Sequence, residues 1–127
     1  MIRTWTIIGV TNVRRSLKWY QHLFGQEESE PAHEYFGQVT DADGTVVLCL
    51  HRWGDHDHPT LISPAQGRAG NGLLLFFRLD DFDAALLRSR SLADALEKEP
   101  GLNPATGTQE FALVDPDGYY VMVSALS

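Results

Sequence analysis

The stretch Asp41-Ala42-Asp43-Gly44-Thr45-Val46-Val47-Leu48 returns 74 residues later as Asp115-Pro116-Asp117-Gly118-Tyr119-Tyr120-Val121-Met122. Each copy sets Asp-x-Asp-Gly, a tight-turn sequence, between two apolar runs of β-forming residues, so each reads as a hairpin. The strands entering the two turns correspond too, at residues 35–40 and 109–114. Working outward, residues 4–10 read as a strand. A helix follows, with Asn12 as its cap, Val13, Leu17, Tyr20 and Phe24 on its apolar side and Gly25 as its stop. Residues 73–79 read as the matching strand. There Asp80 or Asp81 caps a helix whose stripe is Phe82, Leu86, Ser89, Ala93 and Leu96, halted before Pro100 and Gly101. A short further strand is expected at 26–29 and another near Leu102. Each half is therefore strand–helix–strands, an internal repeat.

The length of 127 residues allows one domain, and halves of this size must share a core to be stable. We read residues 1–127 as a single domain: module one at about 1–53, a connector at about 54–71 rich in Pro and Gly, and module two at about 72–127. Ten basic against 17 acidic side chains give a net charge of -7. With no basic tract to neutralise phosphates, nucleic acid is not an expected partner. Arg14, Arg15 and Lys18 fall at helical spacing opposite the apolar stripe and read as a solvated face. The longest apolar run, residues 73–77, is far shorter than a membrane span, and residues 1–10 lack a signal-peptide core. We expect a soluble cytoplasmic protein. One cysteine, Cys49, excludes an intrachain disulfide and reads as a small buried hydrophobe.

The run Ile8-Gly9-Val10-Thr11-Asn12-Val13-Arg14-Arg15-Ser16-Leu17-Lys18-Trp19-Tyr20-Gln21-His22-Leu23-Phe24-Gly25 carries a family likeness. So do Phe77-Arg78-Leu79-Asp80-Asp81-Phe82-Asp83-Ala84-Ala85 and Asp115-Pro116-Asp117-Gly118-Tyr119. In this order they resemble the vicinal oxygen chelate superfamily, which includes glyoxalase I, bleomycin-resistance proteins and extradiol dioxygenases. The resemblance implies an α+β fold of two paired βαβββ modules, forming a curved, cup-shaped mixed sheet with helices outside. It also implies a homodimer and a ligand or metal inside the cup. Metal-using members place a His, a Glu, a His and a Glu on four strands. Aligned on the motifs, those positions are Trp5, Leu48 (or Cys49 if the strand slips by one), Leu74 and Met122. Such residues do not supply the nitrogen and oxygen donors that a borderline or hard divalent ion requires. No metal at these positions and no cofactor are expected.

Strand alternation then lines the cup with Trp5, Ile7, Val46, Leu48, Leu50, Leu74, Phe76, Arg78, Tyr120, Met122 and Ser124. Ile8, Val10, Val47, Leu75, Phe77, Leu79, Val121 and Val123 would face the helices. A cup of this kind suits an apolar or aromatic small molecule held by a few polar groups. Arg78, charged on an apolar strand, requires a partner, and Glu110 on the neighbouring hairpin is the expected one. His22 and His33 read as surface residues. His51, His56 and His58 fall within eight residues and fit no zinc signature. They read as a polar loop, with a metal site or general base as the sharper alternative. Two functions follow: a metal-independent small-molecule-binding protein, or a lyase- or dioxygenase-type enzyme using a divalent metal at non-family positions.

Overall fold

Both Asp-x-Asp-Gly segments close with the same hydrogen bonds. Asp41 N–H donates to the Thr45 carbonyl at 2.7 Å and Gly44 N–H to the Asp41 carbonyl at 3.0 Å. In the second turn Asp115 N–H donates to the Tyr119 carbonyl at 2.9 Å, and Gly118 N–H to the Asp115 carbonyl at 3.1 Å. Gly44 and Gly118 adopt φ of 87° and 93°, a left-handed backbone that only glycine enters without strain.

The computed structural model describes residues 1–127 and is α+β, with two helices and seven strands in two mixed sheets. The order is β1 (Ile7–Val10), α1 (Val13–Leu23), β2 (Phe36–Thr40), β3 (Val46–Arg52), β4 (Leu75–Leu79), α2 (Phe82–Leu92), β5 (Lys98–Asn103), β6 (Thr108–Val114) and β7 (Tyr120–Ala125). The first sheet runs β1-β3-β2 and the second β4-β7-β6-β5, neither closing into a barrel. In each, the strand before the helix lies parallel to the last strand of its module. That pairing is open to it because the helix makes the crossover.

The chain forms two compact units, Met1–Gln21 with Glu27–Ala69, and His22–Gln26 with Gly70–Ser127. Most of the stretch read as a connector thus belongs to the first unit, where Gly54 N–H donates to the Leu61 carbonyl at 2.8 Å. Asn12 Oδ1 accepts from Arg15 N–H at 2.9 Å, capping α1 as expected. In the first unit Val13, Leu17 and Tyr20 from α1 are buried, as are Ile8, Val10, Val39, Leu48 and Leu50 from the sheet. In the second, Leu75, Phe111, Leu113, Val121 and Val123 are buried on one sheet face. The Phe82 ring of α2 packs against Phe111 at 5.3 Å.

Two expectations fail locally. Residues 26–29 form no strand. The Gln21 side chain donates to Ser29 Oγ at 2.8 Å and accepts from Ser29 N–H at 3.1 Å, so a side chain occupies the bonds a strand neighbour would use. Helix α2 stops at Leu92 with Ala93 extended, so Ala93 and Leu96 are not on its stripe. Glu97 N–H already pairs with the Ala112 carbonyl at 2.9 Å, and sheet formation ends the helix early. The strand expected near Leu102 is β5. Pro100 is tolerated within it because β5 is an edge strand whose register shifts between Lys98 and Gly101.

Gly9 on β1 is held by close approach. A Cβ there would come within 2.7 Å of three Trp53 ring carbons. Gly9→Val is expected to destabilise the chain by about 2 kcal/mol through overpacking and to displace the indole. A thermal melt combined with near-ultraviolet circular dichroism checks both.

Candidate functional site

In the second sheet, Phe76 pairs with Met122 and Arg78 with Ser124, while Met122, Ser124 and Tyr120 pair with Ala112, Glu110 and Val114. Directly paired residues share a face, so Phe76, Arg78, Tyr120, Met122 and Ser124 stand together, as alternation predicts. Phe76 is 40% exposed and Tyr120 38%, although both lie within strands. Leu74, immediately before β4, is also exposed.

Arg78 does not pair with Glu110. Strand β7 lies between their strands, which puts their backbones about 10 Å apart. Arg78 instead donates to Ser124 Oγ at 3.3 Å, to the Ala125 carbonyl at 3.3 Å and to the Leu126 carbonyl at 2.7 Å. Glu110, buried, takes its partners from the other side: Lys98 Nζ at 2.7 Å and Asn103 Nδ2 at 3.2 Å. The Lys98 ammonium holds its carboxyl below the usual value against the opposing effect of burial, with Asn103 adding to the lowering. Neither Lys98 nor Asn103 stood out in the sequence, since β5 has no regular alternation.

The first sheet corrects the expected lining by one residue. Ile7 pairs with Cys49 and Ile8 with Leu50 in the parallel β1–β3 ladder. Leu48 and Leu50 therefore lie on the face of Ile8, Val10 and Gly37. That face meets α1, because a Cβ at Gly37 would lie 3.0 Å from Val13 Cγ1. Both leucines are core residues. The opposite face carries Ile7, Gly9, Val47, Cys49 and His51 with Phe36 and Gln38. Trp5 precedes β1 and is 57% exposed. Cys49 is buried, accepts a 3.7 Å contact from Gln38 Nε2, and has its thiol pushed up by burial. It behaves as an inert hydrophobe.

With this register Cys49, not Leu48, shares the face of Ile7. Trp5, Cys49, Leu74 and Met122 together offer no imidazole and no carboxylate. The donor set does not fit the family's divalent metal.

One nitrogen from each of His51, His56 and His58 lies within 4.8 Å of the other two. His51 is buried on β3, and its Nδ1 lies 2.8 Å from the Arg52 carbonyl. Its Nε2 lies 3.2 Å from His56 Nδ1. The loop returns to β3 through left-handed backbone at Gly54 (φ 84°) and His56 (φ 66°). Arg52 clasps Asp55 and holds that carboxyl below its ordinary value. Tyr35 meets the His56 ring edge-on at 5.1 Å.

A separate hollow of about 550 Å³ is lined by residues at the start of α1 together with Glu30, His33, Glu34 and Arg52. It includes none of the expected ligand residues. Its cations are already answered by carboxylates, Arg14 by Glu30 at 2.6 Å and Arg52 by Asp55 and Glu34. Lys18 likewise meets Glu28 and Glu30, which agrees with a solvated helix face.

Solved structures share this fold across nearly the whole chain. A glyoxalase/bleomycin resistance protein/dioxygenase family enzyme from Burkholderia phytofirmans PsJN superposes with a TM-score of 0.71 at 19% identity, covering 97% of both chains. A lactoylglutathione lyase from Agrobacterium tumefaciens gives 0.67 at 18% identity, over 98% of this chain and 93% of that one. A glyoxalase/bleomycin resistance protein from Catenulispora acidiphila DSM 44928 gives 0.63 at 20% identity over all of both chains. No curated protein matches. The profile of the Glyoxalase/Bleomycin resistance protein/Dioxygenase superfamily matches residues 3–123, and the chain belongs to that superfamily.

Proposed function

We propose that this chain binds a small apolar or aromatic molecule against the exposed rings of its second sheet, without a metal at the family's four positions. The observation that carries this reading is the row of Phe76, Tyr120 and Met122, with two aromatic rings well exposed on a β-sheet face. Contiguous apolar surface of this kind marks an interaction site. Arg78 beside the row supplies charge for a polar substituent. On the first unit Trp5 and Ile7 are exposed as well, whereas Leu48 and Leu50, being core, take no part.

We also read the chain as a homodimer, with exposed Ile62 of the segment 60–64 at the contact. The expected place of work is the cytoplasm, where Cys49 stays a thiol. The test is a panel of aromatic and amphipathic small molecules followed by intrinsic tryptophan fluorescence and thermal shift. At least one should bind saturably, and Phe76→Ala and Tyr120→Ala should each weaken it about tenfold, some 1.4 kcal/mol. If nothing binds, or the bound compound ignores both substitutions, the proposal is wrong. Sedimentation equilibrium reads the oligomeric state in the same samples.

A further inference from the structure

We propose that His51, His56 and His58 form a binding site for one borderline divalent transition metal ion, with zinc as the reference case. This site lies wholly within the first unit and is independent of the ligand reading above.

Three imidazoles and no carboxylate select zinc, nickel or copper rather than magnesium or calcium, which prefer oxygen. Two nitrogens sharing a tetrahedral zinc stand about 3.4 Å apart. His51 Nε2 and His56 Nδ1 are already 3.2 Å apart, and the whole set closes within 4.8 Å. His56 and His58 are exposed loop residues, so a small loop movement brings the third nitrogen in.

His51 is oriented as metal-binding histidines are. A carbonyl can only accept, so the 2.8 Å contact with Arg52 O puts a proton on His51 Nδ1. Nε2 is then the free lone pair, the arrangement that fixes both the tautomer and the ring of a ligating histidine. Without metal, His56 Nδ1–H donates to that lone pair, and a divalent ion takes the place of the bridging proton. His56 is also the chain's single non-glycine residue with positive φ. Such a conformation is strained and persists where the surroundings over-determine it. Here it turns the imidazole back toward β3. With three protein nitrogens in place, the fourth tetrahedral position is left for water or an added ligand.

The experiment uses full-length protein free of any histidine tag, treated with chelator and then freed of it. Zinc is titrated by calorimetry while long-range 1H–15N spectra follow the five imidazoles. One equivalent should bind, shifting the signals of His51, His56 and His58 and leaving His22 and His33 in place. His56→Asn and His58→Asn should each weaken binding at least about tenfold. Asn tolerates the left-handed backbone at position 56, and His58 makes no side-chain cap bond, so both variants should melt as the metal-free parent does. Absence of saturable uptake, shifts confined to His22 or His33, or unchanged affinity in both variants would overturn the site.

Discussion

Phe111→Ala is expected to lower the unfolding free energy by about 4 kcal/mol, most of what a small domain possesses. Phe111 is fully buried on β6, and its ring lies against Phe82 of α2. Truncation removes the ring from the face shared with Phe77, Val121 and Val123 and leaves a cavity. Phe76→Ala, on the opposite face of the same sheet, should cost about 1 kcal/mol or less, because that ring is already partly in water. Urea unfolding of the two variants side by side measures the difference. Equal losses would mean that Phe76 holds the fold, and a ring committed to the fold is not available to a ligand.

Lys98→Ala should cost about 3 kcal/mol at neutral pH, since it leaves the buried Glu110 carboxylate with Asn103 alone. The penalty should fade in acid. In the parent, Glu110 is held below its usual 4.5, so the ion pair stabilises the fold above that value. The contribution is lost as pH falls through the lowered folded value. Once the carboxyl is protonated in both proteins, the missing ammonium no longer matters. The gap in melting temperature between parent and variant should therefore shrink as pH falls below 4.5. A gap that does not shrink with falling pH would assign the role of Lys98 to packing of its alkyl chain.

The sequence disclosed most where residue chemistry and backbone demand coincide. Asp41 and Gly44, like Asp115 and Gly118, are the residues these turns require, so both hairpins were legible. On β7 the run Tyr-Val-Met-Val separates more exposed from buried side chains, and Ser124 breaks the pattern by being buried. On β3 the run Val-Val-Leu-Cys-Leu is apolar throughout, so alternation has nothing to distinguish. There the register is set by the parallel partner β1 and by the irregularity between Val39 and Thr40, neither of which leaves a compositional mark. That one-residue slip exchanged Leu48 and Leu50 for Cys49 and His51. The histidine cluster was hidden for another reason. Its assembly depends on two left-handed residues in the 53–58 loop, one of them a histidine that no turn rule would place there.

The matching turns carry a historical consequence. If the two halves descend from one ancestral unit, descent has kept the hydrogen bonds at the bends and discarded likeness on the exposed faces. One half now carries a histidine cluster, the other exposed aromatic rings beside a guanidinium. The doubled scaffold left each copy free to acquire its own chemistry, so the two halves are better understood as specialised siblings than as duplicates.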